Sequence, residues 1–280
     1  MPFDPPGAAR GWSARLELAF ASRGPATVLA RRAHRGPLVV QKALYPEGPR
    51  VCHAILVHPP SGMAGGDTVE VDLSLGPGAH ALVTTPGASK WYRSAGALAS
   101  QRVTASVEAG ATLEWLPQEA IVYDAARADL RTMIALAPTA TFVGMDVVCF
   151  GRTASGERFL NGSCGFGTRI ERDGAPVWIE RGEVDGGSAL LDSPVGLDGQ
   201  PVVATLVAAS TRAGSELLGA CRGVACGAGR GAVTLLPGLI VARWLGPACE
   251  PARTWLAGLW GVLRPALAGV PAATPRIWTT

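Results

Sequence analysis

Residues 52–93 read CHAILVHPPSGMAGGDTVEVDLSLGPGAHALVTTPGASKWYR. An apolar run, Ala54 to Val57, enters His58-Pro59-Pro60. The loop Ser61-Gly62-Met63-Ala64-Gly65-Gly66 follows and closes on Asp67. Val69, Val71, Leu73 and Leu75 then alternate with Thr68, Glu70, Asp72 and Ser74. A period of two marks a strand with one buried face. Gly76-Pro77-Gly78 turns the chain, and Ala79 to Thr85 reads as a second strand that returns. The glycine-rich loops at the strand ends allow close backbone approach and are the places where function tends to sit.

This unit recurs. Leu75-Gly76-Pro77-Gly78-Ala79-His80-Ala81-Leu82 is similar to Val107-Glu108-Ala109-Gly110-Ala111-Thr112-Leu113 and to Leu136-Ala137-Pro138-Thr139-Ala140-Thr141-Phe142. Each copy has an alternating strand before it and an apolar strand after it. A strand–turn–strand period of about thirty residues points to stacked β units. The expected fold is therefore mainly β: a two-sheet, β-helix-like scaffold, with an antiparallel sandwich as the other arrangement compatible with so short a repeat.

Outward from this centre, Trp12–Phe20, Val28–Ala33 and Pro37–Ala43 read as strands, with the basic link Arg31 to Gly36 as a solvated turn. Asp173-Gly174 is a favoured two-residue hairpin turn between Arg169-Ile170-Glu171 and Val177–Glu180. Val202–Val207 reads as a short apolar strand and Leu235–Trp244 as another. Helical spacing appears in 214–225 and 251–263, with Pro265 expected just beyond the second helix. The tail, Pro275 to Thr280, is apolar enough to dock. The chain is expected to form one domain over 1–280: a β scaffold over 1–207, then a mixed part over 208–280 with about two helices.

Composition narrows the function. The 280 residues carry 48% hydrophobic and 17% charged residues, with 36 Gly and 22 Pro, which suits many short strands and argues against disorder. A net charge of +3 is too small for a nucleic-acid surface. No apolar run is long enough to span a membrane, and MPFDPPGAARGW lacks the apolar centre of a signal peptide, so a cytoplasmic location is expected. The six cysteines, scattered without a CxxC, are expected as reduced thiols, mostly buried.

No GxSxG, GxxxxGK[ST] or HExxH motif occurs, and no nucleophile–base pair or closed metal site is evident. Cys52 and His58 lie an even number apart, so a straight strand points them the same way; they are soft and intermediate ligands. Their span is too wide to share one ion without a bend, and chance pairing is the better account. The carboxylates say more. Asp146 interrupts the apolar run Phe142–Phe150, where it must be paired, hydrated or ligated. Glu114 lies between Leu113 and Trp115, Asp67 follows two glycines, and Glu180 follows Trp178-Ile179. Salt bridges to Arg93, Arg152 or Arg181 would explain any one of them. Several together could line a hydrated interior path where oxygen ligands hold a divalent cation weakly enough for passage.

HPPSGMAGGD, TTPGASKWYRS, LEWLPQEAIVYDAARA, the Asp146 segment ending in CFGR, ASGE and the terminal PRIW, in this order and spacing, resemble the UreD (UreH) family of urease accessory proteins. The likeness runs from Trp12 to the tail. Ser61 departs from it where the family more often has a second glycine, and Glu119-Ala120-Ile121 lies at a variable position. The resemblance implies a non-enzymatic scaffold that binds UreF and, through it, the nickel-carrying GTPase UreG, in a 2:2:2 assembly that docks on apo-urease. It implies an internal polar tunnel for Ni²⁺, lined by Asp67, Ser89, Asp146 and Glu180, with Glu157 as a further member, and no tightly bound cofactor. A structural adaptor without metal passage, or a carboxylate-site hydrolase, are the competing readings. The tryptophan-rich C-terminal part (Trp244, Trp255, Trp260, Trp278) is a composition-based candidate for partner binding, against a helix packed on the sheet.

Overall fold

A computed structural model describes residues 11–279; residues 1–10, most of the stretch read for a signal peptide, and Thr280 lie outside the described residues. In chain order, β1 (Ser13–Arg23), β2 (Ala26–Arg35), β3 (Val39–Leu44) and β4 (Cys52–Val57) precede the loop strand β5 (Gly62–Met63). Then come β6 (Thr68–Leu75), β7 (His80–Thr84), β8 (Ser89–Trp91), β9 (Ala99–Val107), β10 (Thr112–Leu116), β11 (Ala120–Val122), β12 (Arg127–Leu136) and β13 (Thr141–Phe150). The remainder is β14 (Ser163–Arg172), β15 (Ala175–Asp185), α1 (Ala189–Asp192), β16 (Val202–Ala209), α2 (Ser215–Arg222), β17 (Arg230–Leu236), β18 (Leu239–Gly246) and α3 (Cys249–Ala268).

The thirty-residue repeat is a parallel stack. β6, β9 and β12 pair side by side in one sheet, with Leu75 opposite Val107 and Val107 opposite Leu136. β7, β10 and β13 do the same in the other, with His80, Thr112 and Thr141 in one row. The strand after each turn thus returns in the opposite sheet and does not form a hairpin with the strand before it. The turns stack too: Gly78 N–H donates to the Ala109 carbonyl. Among the described residues the first sheet runs β15-β14-β12-β9-β6-β1-β2 and the second β17-β18-β16-β13-β10-β7-β4-β3, with β5, β8 and β11 forming a short parallel ledge beside it.

The two sheets face each other, and their inward rows, such as Leu16-Leu18-Phe20 and Val69-Val71-Leu73 from the first and Ala81-Val83 and Leu113-Trp115 from the second, form one core. The outer face of the second sheet forms another core with α3, through Trp255, Leu256, Leu259, Trp260 and Leu263. β13 is covered on both faces, which explains its nearly unbroken apolar sequence. Trp244, Trp255 and Trp260 are buried, so they serve this packing and not an open surface. The tail docks as expected: Trp278 Nε1 donates to Thr84 Oγ1 at 2.8 Å.

Four local readings need correction. Arg31 to Arg35 lie within β2, paired with β1, because the alternating register carries the strand on to Gly36, whose φ of 76° makes the turn. The segment read as one strand, Leu235–Trp244, is split between β17 and β18 by a hairpin at Gly238, φ 71°. Pro265 lies inside α3, and the helix ends at Gly269, φ 67°, whose N–H caps the Pro265 carbonyl. Buried Leu267 and Ala268 reward the extra turn. A third, four-residue helix, α1, was not anticipated. The Asp173-Gly174 turn is as read, with φ 51° and 75°. Ser61 adopts φ 62°, a left-handed backbone that glycine takes with less strain than serine. All six cysteines are free, four of them buried.

Candidate functional site

Between the sheets lies a cavity of about 250 Å³. One end is apolar, walled by Leu38, Leu56 and Met63, with the His58 loop and Ser89 also on the cavity wall. The other end is polar, built by two facing rows. On the first sheet Thr132 pairs with Thr168 and Thr168 with Glu180. On the second Asp146 pairs with Thr205 and Thr205 with Arg243. Residues paired across adjacent strands point to the same face, so each row is continuous. A second void of about 10 Å³, room for roughly one water, shares Thr132, Asp146, Thr168 and Thr205 with the large cavity.

Asp146 is the exception in a strand otherwise buried throughout. It lies deep among protein atoms, yet its side chain opens onto the cavity. Burial, with the nearby Glu180 charge in support, pushes its carboxyl up to about 6. Glu180 carries an ion pair: its Oε1 accepts from Arg243 Nη1 at 2.5 Å. Arg243 Nη1 also lies 3.5 Å from Thr205 Oγ1, and its guanidinium sits 5.7 Å from the centre of the Trp178 ring. Carboxylates and hydroxyls offer oxygen donors only, a set that binds the later divalent transition metals less tightly than thiolates or imidazoles do.

Of the residues singled out in the sequence, Ser89, Asp146, Glu180 and His58 border this cavity, and Asp67, Glu157 and Cys52 do not. Asp67 is buried and spends its carboxylate on the backbone N–H groups of Trp12 (3.1 Å) and Ala64 (2.7 Å), tying the HPPSGMAGGD loop to the start of β1. Glu157 accepts from Arg152 at 2.7 Å and from the Asp124 N–H at 3.1 Å, which shapes the loop after β13. Cys52 is fully buried, and burial raises its thiol pKa. His58 packs against Trp12, ring centroids 4.7 Å apart and planes tilted by 45°, burial holds its imidazole below the usual value, and its Nε2 has no hydrogen-bond partner. Of the arginines expected as partners, Arg152 serves Glu157, while Glu180 takes Arg243 in place of Arg181. Among the described residues no group of three or more His, Cys, Asp or Glu side chains is placed to hold a metal ion.

Sequence reasoning missed Thr132, Thr168, Thr205 and Arg243. A signal was present: each occupies an inward position of an alternating strand, as in Leu130-Thr132-Ile134 and Val203-Thr205-Val207. It also left Glu114 without a partner. Glu114 is fully buried beneath α3 and accepts from His80 (2.6 Å), Trp260 Nε1 (2.5 Å) and Arg264 Nε (3.0 Å). Arg264 in turn binds Glu47, which meets His53 at 2.6 Å. This cluster lies on the far side of the second sheet from the cavity and locks the helix to it.

Among the described residues no helix is long and apolar enough to cross a membrane. Comparison with known proteins spans nearly the whole chain. The UreD urease accessory protein family profile matches residues 13–279. A urease accessory protein UreD of Azoarcus sp. (strain BH72) is 59% identical over 270 residues, covering 96% of this chain and 95% of the relative. Those of Dechloromonas aromatica and Pseudomonas aeruginosa are 51% and 53% identical, covering 100% and 96% of this chain and 99% and 95% of theirs. The chain belongs to the UreD urease accessory protein family.

Proposed function

We propose that this protein is a non-catalytic urease maturation factor that conducts Ni²⁺ through the space between its sheets. The observation that carries the reading is Asp146: a carboxylate set in a strand buried on both faces, open to an interior cavity and facing Glu180. A carboxylate placed on an interior wall that is otherwise largely apolar is costly unless hydrated or paired, and a cation in transit through the cavity would use it. The hydroxyls of Ser89, Thr132, Thr168 and Thr205 continue the oxygen lining. An oxygen-only path suits transit, because ligands that hold nickel weakly also release it. Enclosure by protein supplies the selectivity that affinity cannot, since copper binds most sites more tightly than nickel.

In this reading the chain works in the cytoplasm as the scaffold of an assembly with UreF and UreG, in 2:2:2 proportion, and hands nickel to apo-urease. Asp67 supports the path indirectly, by tying down the loop that carries His58, Ser61 and Met63 on the cavity wall, and Glu157 shapes the loop after β13.

The test is the nickel content of urease purified from cells whose own UreD gene is deleted and replaced by this chain. Wild type should restore nickel. Asp146→Asn and Glu180→Gln should leave UreF pull-down intact and lower nickel per urease several-fold. Normal nickel with both variants would make the chain a structural adaptor whose carboxylates play no part in transport.

A further inference from the structure

We propose that Arg243 is a displaceable resident cation at the polar end of the cavity, holding Glu180 until a divalent ion takes its place. The inference rests on the nickel-path reading and adds a residue and a step to it.

The argument starts from register. Asp146, Thr205 and Arg243 stand side by side on β13, β16 and β18. Two strand spacings, about 10 Å, separate the acidic end of the row from the basic end. Glu180 faces this row from the other sheet, near enough to Asp146 to raise its carboxyl pKa and bonded to Arg243 at 2.5 Å. The pair is lopsided in exposure: the Glu180 side chain is 11% exposed and Arg243 48%. The guanidinium therefore stands between the Glu180 carboxylate and bulk solvent.

Two carboxylates on a shared cavity repel each other, and Arg243 neutralises one of them while no metal is present. A half-exposed ion pair contributes little net stability, so a doubly charged ion that engages both carboxylates can replace it. The Trp178 ring, 5.7 Å from the guanidinium and on the same strand as Glu180, stays beside Arg243 once the ion pair opens and keeps it close to Glu180. Its return to Glu180 would then help expel the metal. The arrangement keeps the station from becoming a trap.

Titration of the purified full chain with NiSO₄ at low ionic strength, followed by calorimetry, tests this. Arg243→Met should bind Ni²⁺ about tenfold more tightly than wild type, since the carboxylates lose their internal competitor. Arg243→Lys keeps the positive charge, though not the planar contact with Trp178, and should bind less tightly than the Met variant, within about threefold of wild type. Arg243→Met with Glu180→Gln should lose the gain. Circular dichroism checks the fold, and Arg243→Gln is read in place of the Met variant if the latter is unfolded. Equal or weaker binding by the neutral variants, or a gain that survives Glu180→Gln, overturns the proposal. If the neutral variants bind more tightly while Asp146→Asn leaves urease nickel normal, the cation site stands and the delivery reading fails.

Discussion

Arg264 of the terminal helix closes on Glu114 of β10, its Nε 3.0 and 3.1 Å from the two carboxylate oxygens, and neither side chain has any exposure. Breaking one side of a buried pair leaves an uncompensated charge and costs about 3–5 kcal/mol. Glu114→Gln is expected in that range. Arg264→Met should cost more, because it strands Glu47 as well. Urea unfolding monitored by tryptophan fluorescence measures both, and a loss under about 1 kcal/mol for either would show that the pair is dispensable.

The same cluster sets the response to acid. Burial alone would raise the pKa values of Glu47 and Glu114, but hydrogen bonds from Arg264 and His53 to the first, and from His80 and Trp260 to the second, hold both below their ordinary 4.5. Carboxyls depressed in the folded state contribute stability above their unfolded pKa and lose it as pH falls through the folded one. His53 adds an earlier loss: burial keeps it below 6.5, so the unfolded chain takes the proton first. Melting temperature should decline gently from pH 6.5 and steeply below 4.5. A flat profile down to pH 4 contradicts this account.

Asp146 has the opposite sign. Its carboxyl is raised from 3.8 to about 6 in the folded protein, so its ionised form opposes folding above pH 6. Asp146→Asn should therefore stabilise the protein at pH 8 by about 1 kcal/mol, the cavity opening having screened part of the cost. The gain should shrink as pH falls through about 6 and vanish below 3.8. Destabilisation at pH 8 would mean that the carboxylate is held by partners in the resting protein.

Gly174 isolates backbone strain. Its φ is 75°, and a Cβ added there meets nothing within 4 Å. Gly174→Ala should cost about 1–2 kcal/mol from the left-handed conformation alone. Gly144 has an ordinary backbone, but an added Cβ would lie 2.4 Å from the Phe142 ring. Gly144→Ala should therefore overpack the inner face and cost a similar amount by a different route. Chemical denaturation of the pair, with near-ultraviolet dichroism to detect disturbed aromatic packing in the second only, separates strain from crowding.

The alternation over Thr68–Leu75 and the recurring Gly/Pro turns were enough to read a stacked two-sheet fold, because period two and turn chemistry are local properties. What the sequence concealed is what depends on which strands become neighbours. Arg243 is 63 residues from Glu180, and no local pattern couples them. Arg264 lies 150 residues from Glu114. Asp146 was legible because a charge in an apolar run is anomalous in isolation. Thr132, Thr168 and Thr205 were not, because threonine is at home on strands and only the assembled rows distinguish them. Pro265 misled because proline normally stops a helix, whereas here the packing of Leu267 and Ala268 carries α3 past it.

The placement of Arg31, Arg32 and Arg35 on β2 has a consequence for colloidal behaviour. β2 is the outermost strand of its sheet, and the sheet behind it is largely parallel and in register. Such an edge is a template on which another chain could add strands. Arg31 reaches Glu17 and Arg32 reaches the Val40 carbonyl, so the edge is both charged and partly covered. The charge and the cover at this edge oppose the addition of strands from a second molecule, so that repetition inside the molecule is discouraged from continuing between molecules.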